Sequence, residues 1–200
     1  LSDVCCEDIE EDAVCINRGG GGGDGTNSGD GNSDISFGII TVSDRAFNGV
    51  YEDISGNVVM RETIETYFTT DDVSKSSTHI IKGYKLVPDE EEEIAKAIVY
   101  MSDELKCDVI LTTGGTGLAK RDVTPEATKS VLTREVKGIA ESLRAHARRY
   151  EKHAALSRAV AGLRNNQSLI VNLPGRPNAV SSSLGVLLPM LRHAVRQLKA

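Results

Sequence analysis

Residues 108–117 read DVILTTGGTG: Val109, Ile110 and Leu111 in a row, then a loop from Thr112 to Gly117. Consecutive large apolar residues suit a short strand buried on both faces, as in a parallel sheet. The glycine-rich loop then lies at that strand's carboxyl end, where open α/β sheets bind ligands. Upstream, Ile35–Val42 (ISFGIITV) is a longer apolar run ending in Ser43-Asp44-Arg45, and Ile80–Val87 reads as a strand closing on Pro88-Asp89-Glu90.

Helical spacing fills the gaps. A polar loop through Asp53-Ile54-Ser55-Gly56 leads to apolar positions at 59, 60, 64, 67 and 68, within Val58–Phe68. Pro88-Asp89-Glu90 opens a helix whose apolar face is Ile94, Ala97, Ile98, Met101 and Leu105. Its first turn carries Glu90 to Glu93, where negative charge meets the positive end of the helix dipole. Thr124 is the expected cap of a further helix with Pro125 at its first position. More helix is expected over Gly138–Tyr150. Ala159–Leu163 and Ser168–Leu173, separated by Arg164-Asn165-Asn166-Gln167, read as a hairpin. Val180, Leu184, Leu187, Leu188, Leu191, Val195 and Leu198 predict a C-terminal helix that Pro189 should kink or break. The pattern predicts an α/β fold: a doubly wound, mostly parallel sheet with helices on both faces and an antiparallel hairpin at one edge.

Composition bounds the function. The chain has 200 residues, 40% hydrophobic and 26% charged, with a formal charge of −6. Residues 1–34 hold nine acids and one base, so the remaining 166 residues are near neutral at +2. That balance argues against a nucleic-acid partner. No apolar run approaches the ~20 residues of a membrane span. Residues 1–34, with five glycines in a row at 19–23, read as an acidic flexible tail or linker, such as would join a further domain. Residues 35–200 form the expected domain. Of four cysteines, Cys5, Cys6 and Cys15 lie in the tail and Cys107 in the body, with no CxxC pair. This opposes a zinc site or disulfide framework and fits a reducing, cytoplasmic setting. Asn166-Gln167-Ser168 matches a glycosylation sequon but reads as a polar hairpin turn.

Four segments at strand ends carry unusual residues: Thr41–Arg45, Pro88-Asp89, Thr112–Gly117 and Asn172–Asn178 (NLPGRPN). In TTGGTG, glycines let backbone amides turn toward an anion and threonine hydroxyls add donors. It is not a P-loop, since G-x-x-x-x-G-K-[ST] is absent, and it is not a dinucleotide fingerprint. Taken alone it also reads as a tight turn. Asp89 is either a helix N-cap or a ligand-handling carboxylate. Asp122 either pairs with Arg121 or Lys120 or serves the site, and Asp44 is a turn former or a ligand group. Two carboxylates beside a phosphate loop suit Mg²⁺. Arg176, held between Gly175 and Pro177, is placed to meet an anion.

Together, TVSDR (41–45), DISG (53–56), VPDE (87–90), DVILTTGGTG (108–117), RDVTPEAT (121–128), LSR (156–158) and NLPGRPNAV (172–180) resemble the molybdopterin adenylyltransferase family, which includes the G domain of gephyrin. The resemblance covers 35–200. It implies a trimeric domain that transfers AMP from Mg-ATP to the terminal phosphate of molybdopterin, with a molybdate-inserting domain or enzyme acting next. It places the catalytic aspartates at Asp89 and Asp122, which are also the implied Mg²⁺ positions. Thr113, Gly114, Gly115, Thr116 and Gly117 would hold the molybdopterin end. Ser43, Asp44, Asn172, Pro174, Gly175 and Asn178 would line the rest of the cleft. A scaffold or pterin-binding module of the same fold is the alternative. Asn57 stands where many members have proline.

Overall fold

The structure, a computed structural model, describes residues 34–50, 52–70 and 79–200. The expected tail, with Cys5, Cys6 and Cys15, lies outside the described residues apart from Asp34. Six strands form one sheet: β1 (Ile35–Val42), β2 (His79–Val87), β3 (Val109–Thr113), β4 (Arg134–Glu135), β5 (Ala161–Arg164) and β6 (Ser168–Leu173). Their order is β2-β1-β3-β6-β5-β4. The first four positions pair in parallel, and β5 and β4 add antiparallel.

Alternate residues of each strand feed opposite layers. On one face Phe37, Ile39, Leu111 and Val171 pack under α2 (Arg61–Thr70), α5 (Lys137–Ala147) and α6 (Pro177–Leu198). On the other, Ile40, Ile110 and Ile170 pack under α3 (Glu91–Val99) and α4 (Thr124–Val131). Burying each such side chain stabilises the fold by roughly 1.5–3 kcal/mol. The chain leaves β1 toward β2 over one face and returns across β1 to β3 over the other. The connections therefore diverge between β1 and β3, and a crevice opens at their carboxyl ends.

Several local expectations are corrected. Thr112 and Thr113 belong to β3 and not to the loop. They pair with Asn172 and Leu173 of β6, and Thr113 also pairs with Thr41 of β1. A one-turn helix, α1 (Asp44–Phe47), follows β1, with the Ser43 hydroxyl accepting from the Ala46 amide. Residues Ser55–Met60 lead into α2 as a wide π-type turn, and Tyr100–Glu104 extend α3 in the same form. Val123 stands at the N-cap of α4, and Thr124 opens the helix without capping it. β4 was not expected: two exposed polar residues carry no periodic signal.

The hairpin turn holds Asn165 and Asn166 at φ 51° and 54°, a left-handed conformation that asparagine tolerates. Its strand β6 lies inside the sheet, and β4 forms the antiparallel edge. Helix α6 runs through Pro189. Pro189 faces solvent, and the carbonyl it leaves unbonded belongs to exposed Gly185, so water can satisfy it. Buried Leu184, Leu187, Leu188 and Leu191 hold the helix on either side.

Candidate active site

The turns after β1 and β2 are locked together. The Asp44 amide donates to Asp89 Oδ2 at 2.8 Å, and the Asp89 amide donates to Asp44 Oδ1 at 3.0 Å. Asp89 caps nothing of its own: Glu90 stands at the cap of α3 without a side-chain bond. Arg121 closes over the pair. Its Nε and Nη2 donate to Asp44 at 2.9–3.0 Å, and Nη1 donates to Glu90 at 2.7 Å.

Electrostatics separate the two carboxyls. Asp44 is held below its ordinary range by the Asp89 amide and by Arg121. Asp89 is pushed up, first by burial, then by the negative charges of Asp44 and Asp122. The hydrogen bond from the Asp44 amide, and to a lesser extent Arg121, pull it the other way. A carboxylate shifted by burial and like charge in a cleft is a functional-site signal.

The glycine loop needs its glycines. Gly114 and Gly115 have φ of +100° and +59°, the left-handed region. A Cβ on Gly114 would lie 2.2 Å from the Val42 carbonyl oxygen. One on Gly115 would lie 2.3 Å from Thr124 Oγ1 and 3.1 Å from Asp89 Oδ1. The loop backbone therefore runs directly against Asp89. Asp122 closes the far end, accepting from the Ala119 amide at 2.8 Å. A Cβ on Gly117 would approach its Oδ2 to 2.8 Å. Thr124 Oγ1, beside Gly115, is buried without a hydrogen-bond partner.

Two cavities flank the segment Gly175-Arg176. One of about 280 Å³ is lined by Ser43, Asp53, Ser55, Thr113 and Arg176. The other, about 480 Å³ and mostly apolar, is lined by Gly117, Leu118, Leu143, Leu156 and Arg176 among others. Ser55 Oγ donates to the Gly175 carbonyl at 2.8 Å and so joins the two walls.

Thus the fold brings Ser43, Asp44, Asp89, Gly114, Gly115, Thr116, Gly117, Asp122, Pro174 and Gly175 to one end of the sheet. Thr113 and Asn172 line the cavities but spend their polar side-chain atoms inside the fold. The Thr113 hydroxyl donates to the Pro174 carbonyl at 2.7 Å and shapes the wall instead of presenting a free donor. Asn172 is buried, its Nδ2 donating to the hydroxyls of Thr112 and Thr128 and its Oδ1 accepting from the Val160 amide. Asn178 is exposed in the first turn of α6.

Sequence reasoning passed over Asp53. This buried carboxylate accepts from Thr41 Oγ1 at 2.6 Å, Tyr84 Oη at 2.5 Å and the amides of Gly56 and Asn57. Asn57, where the resemblance expects proline, supplies an N–H that proline lacks. The signal available was the Asp-x-Ser-Gly spacing, an Asp reaching the amides three and four residues on. Arg121 entered only as a partner for Asp122; it pairs with Asp44 and Glu90.

The fold and cleft define a class: a doubly wound α/β domain with carboxylates and a glycine loop gathered at its switch point. The family model described as a probable molybdopterin binding domain matches residues 38–193, and the chain belongs to that family. It is 41% identical over 161 residues to the molybdopterin adenylyltransferase of Helicobacter pylori strain J99, covering 80% of this chain and 86% of that protein. It is 38% identical over 150 residues to that of Escherichia coli K12, covering 75% and 72%. Gephyrin of Dictyostelium discoideum is 42% identical over 158 residues, 79% of this chain and 22% of gephyrin. The crystal structure of the molybdopterin biosynthesis enzyme MoaB from Thermus thermophilus superposes with a TM-score of 0.71 at 42% identity, covering 82% and 96% of the two chains.

Proposed function

We propose that the domain transfers the adenylyl group of ATP to the terminal phosphate of molybdopterin. A terminal phosphate oxygen bonds to the α-phosphorus of ATP. The bond from that phosphorus to the bridging oxygen breaks, and pyrophosphate leaves with the electron pair. No covalent help from the protein is needed; the reaction depends on positioning and on stabilising charge spread over phosphate oxygens.

The observation that carries this reading is the reciprocal Asp44–Asp89 lock set against the Gly114–Gly117 loop, with Asp122 closing the far side. Backbone amides of Gly115 to Gly117 hold the molybdopterin phosphate, the Gly114 amide being spent on the Leu173 carbonyl, and Thr124 Oγ1 is an unspent donor beside them. Burial and like charge keep Asp89 a strong acceptor that orients the incoming groups. Arg176 sits between the two cavities, within reach of phosphate oxygens on either side. The larger cavity offers apolar walls and volume for a ring system.

The donor set is carboxylate oxygen, which fits Mg²⁺ bound through one or two carboxylates plus substrate phosphates. Asp89 and Asp122 would hold it, and when bound it neutralises phosphate charge. Among the described residues no group of three or more His, Cys, Asp or Glu could cage an ion alone. A cation shared with the nucleotide needs no such cage. The same reading carries a homotrimer, a cytoplasmic setting, and a molybdate-inserting domain or enzyme that takes the adenylylated product. It includes no nucleic acid or membrane partner; among the described residues no helix is long and apolar enough to cross a membrane.

The test is AMP transfer by the full chain, with molybdopterin and Mg-ATP supplied and both adenylylated pterin and pyrophosphate quantified. Stoichiometric formation of the two products is expected. Tight molybdopterin binding with no product would overturn the reading in favour of a pterin-binding or scaffold module.

A further inference from the structure

Arg158 lies in the segment between α5 and β5, far in sequence from the glycine loop. Its backbone amide donates to the Thr116 carbonyl at 2.9 Å. Its Nε donates to the Gly117 carbonyl at 2.7 Å. Nη2 donates to the Asp122 carbonyl, and Nη1 pairs with the Glu126 carboxylate in the first turn of α4. One residue therefore holds four points along residues 116–126.

Elsewhere in that stretch Arg121 pairs with Asp44 and Glu90, and the Thr124 amide donates to the Gly115 carbonyl at 3.1 Å. Between β3 and α4 the backbone has no regular structure. The internal bonds of residues 117–123 are the Asp122 amide to the Ala119 carbonyl and the Ala119 amide to Asp122 Oδ2. Both run through Asp122 and fold the loop on itself, and Arg121 anchors it through its own side chain to Asp44 and Glu90. Arg158 supplies the tie to the backbone carbonyls of Gly117 and Asp122. Its guanidinium is planar and presents donors in a fixed fork, so bonds to Gly117 and Asp122 together set the spacing between them. Gly117 is also the residue packed against the Asp122 carboxylate, so that spacing decides where the carboxylate sits.

We propose that Arg158 is a positioning residue that staples the loop and places the Asp122 carboxylate for the reaction. The inference rests on the adenylyl-transfer reading for its kinetic consequence, but not for its structural one. Lysine cannot replace Arg158, because one ammonium on a flexible stem cannot hold Gly117 and Asp122 at a fixed separation.

The experiment compares the full chain with Arg158→Ala, Arg158→Lys, Asp122→Ala and the double variant Arg158→Ala/Asp122→Ala. Arg164→Ala is the control, since Arg164 pairs with Asp103, away from the site. Hydrogen–deuterium exchange is read on each protein and needs no turnover. Amides of 117–123 should exchange at least tenfold faster in both Arg158 variants, with β3 unchanged. AMP transfer should show kcat lowered at least tenfold by Arg158→Ala, little recovery in Arg158→Lys, and no further loss on adding Arg158→Ala to Asp122→Ala. Arg164→Ala should leave kcat unchanged at a temperature where it is folded. Should Arg158→Ala not fold, Arg158→Lys and Glu126→Gln carry the exchange test. Unchanged loop exchange, or an equal loss of kcat in the Asp122→Ala background, would overturn the proposal. A wild-type chain that turns over nothing, with loop exchange still dependent on Arg158, would instead overturn the functional reading alone.

Discussion

Asp44 and Asp89 exchange hydrogen bonds, each backbone amide donating to the other's carboxylate at 2.8 and 3.0 Å. Two like charges are thereby held side by side at the ends of adjacent strands. Arg121 is the cation that offsets them, yet it bonds directly to Asp44 and Glu90 and not to Asp89. The pair is unequal: the Asp89 amide and then Arg121 drive the Asp44 carboxyl down, while burial drives that of Asp89 up.

This inequality sets a pH dependence. Asp89 in the folded chain binds its proton more tightly than in the unfolded chain, where its value is the ordinary 3.8. In the window just above 3.8 the native state holds more protons, so the Asp89 contribution to stability falls as pH rises. Asp44, shifted down, contributes stability present above 3.8 and lost as pH falls through its lowered value. Asp89→Asn should abolish the Asp89 slope, leave stability at pH 7 equal or higher, and lower transfer on the order of 100-fold. Denaturation midpoints against pH and single-turnover rates measure the two effects. The acid limb of kcat/KM should lie above the usual aspartate range. It should move higher in Arg121→Ala, which removes a cation, and lower in Asp122→Asn, which removes a like charge. The stability change in Arg121→Ala should stay within about 1 kcal/mol, because its pairs are exposed.

Glycine substitutions in the loop should separate strain from site chemistry. Gly114→Ala meets the Val42 backbone at a positive φ, so it should destabilise by roughly 1–3 kcal/mol or more. Gly117→Ala meets only the Asp122 side chain. It should cost little stability while lowering kcat, as the carboxylate moves aside. Urea titrations beside steady-state rates distinguish the two.

Asn172 should behave as a strut. Asn172→Ala leaves the Thr112 and Thr128 hydroxyls and the Val160 amide without their buried partner. At about 1–3 kcal/mol for each unsatisfied group, several kcal/mol of stability should go. KM for molybdopterin should be unchanged at a temperature where the variant is folded. A large KM effect without loss of stability would make Asn172 a contact residue after all.

Asp53→Asn should act at a distance through Tyr84. Burial raises the Tyr84 phenol above its ordinary 10.0, and the Asp53 hydrogen bond and charge raise it further. The variant puts an amide among four donors and should cost about 3 kcal/mol. Ultraviolet titration should show one tyrosine ionising at lower pH than in the parent chain.

Thr124→Val tests the orphaned hydroxyl. Removing a buried group with no partner should leave stability equal or slightly higher. If that hydroxyl donates to a substrate phosphate, kcat/KM should fall about tenfold, the size of one hydrogen bond of ~1.4 kcal/mol.

Much of the fold was legible because burial imposes local periodicity. ISFGIITV is apolar on both faces since β1 lies between two strands and two helical layers. The period of α3 appears in Ile94, Ala97, Ile98 and Met101 because one face meets the sheet. Asp89, Asp122 and the glycine loop could be singled out because strand ends are where chemistry collects, and the likeness to a known family aligned them. Where the reading failed, the deciding contacts were long-range. Thr113 joined a strand because Thr41 and Leu173 pair with it. Helix α6 continued through Pro189 because leucines on both sides are buried by other elements.

The chain alone determined which segments pair with the core and which residue types stand at the strand ends, since both follow from near-neighbour chemistry. Tertiary structure alone decided how those residues are spent. Asn172 and Thr113 spend their polar side-chain atoms inside the fold, Arg121 bridges Asp44 and Glu90, and Arg158 reaches Gly117 and Asp122 across intervals of 41 and 36 residues. A hydrogen bond is directional and short-ranged, so its partner depends on where the whole fold brings two side chains, and no local pattern encodes that.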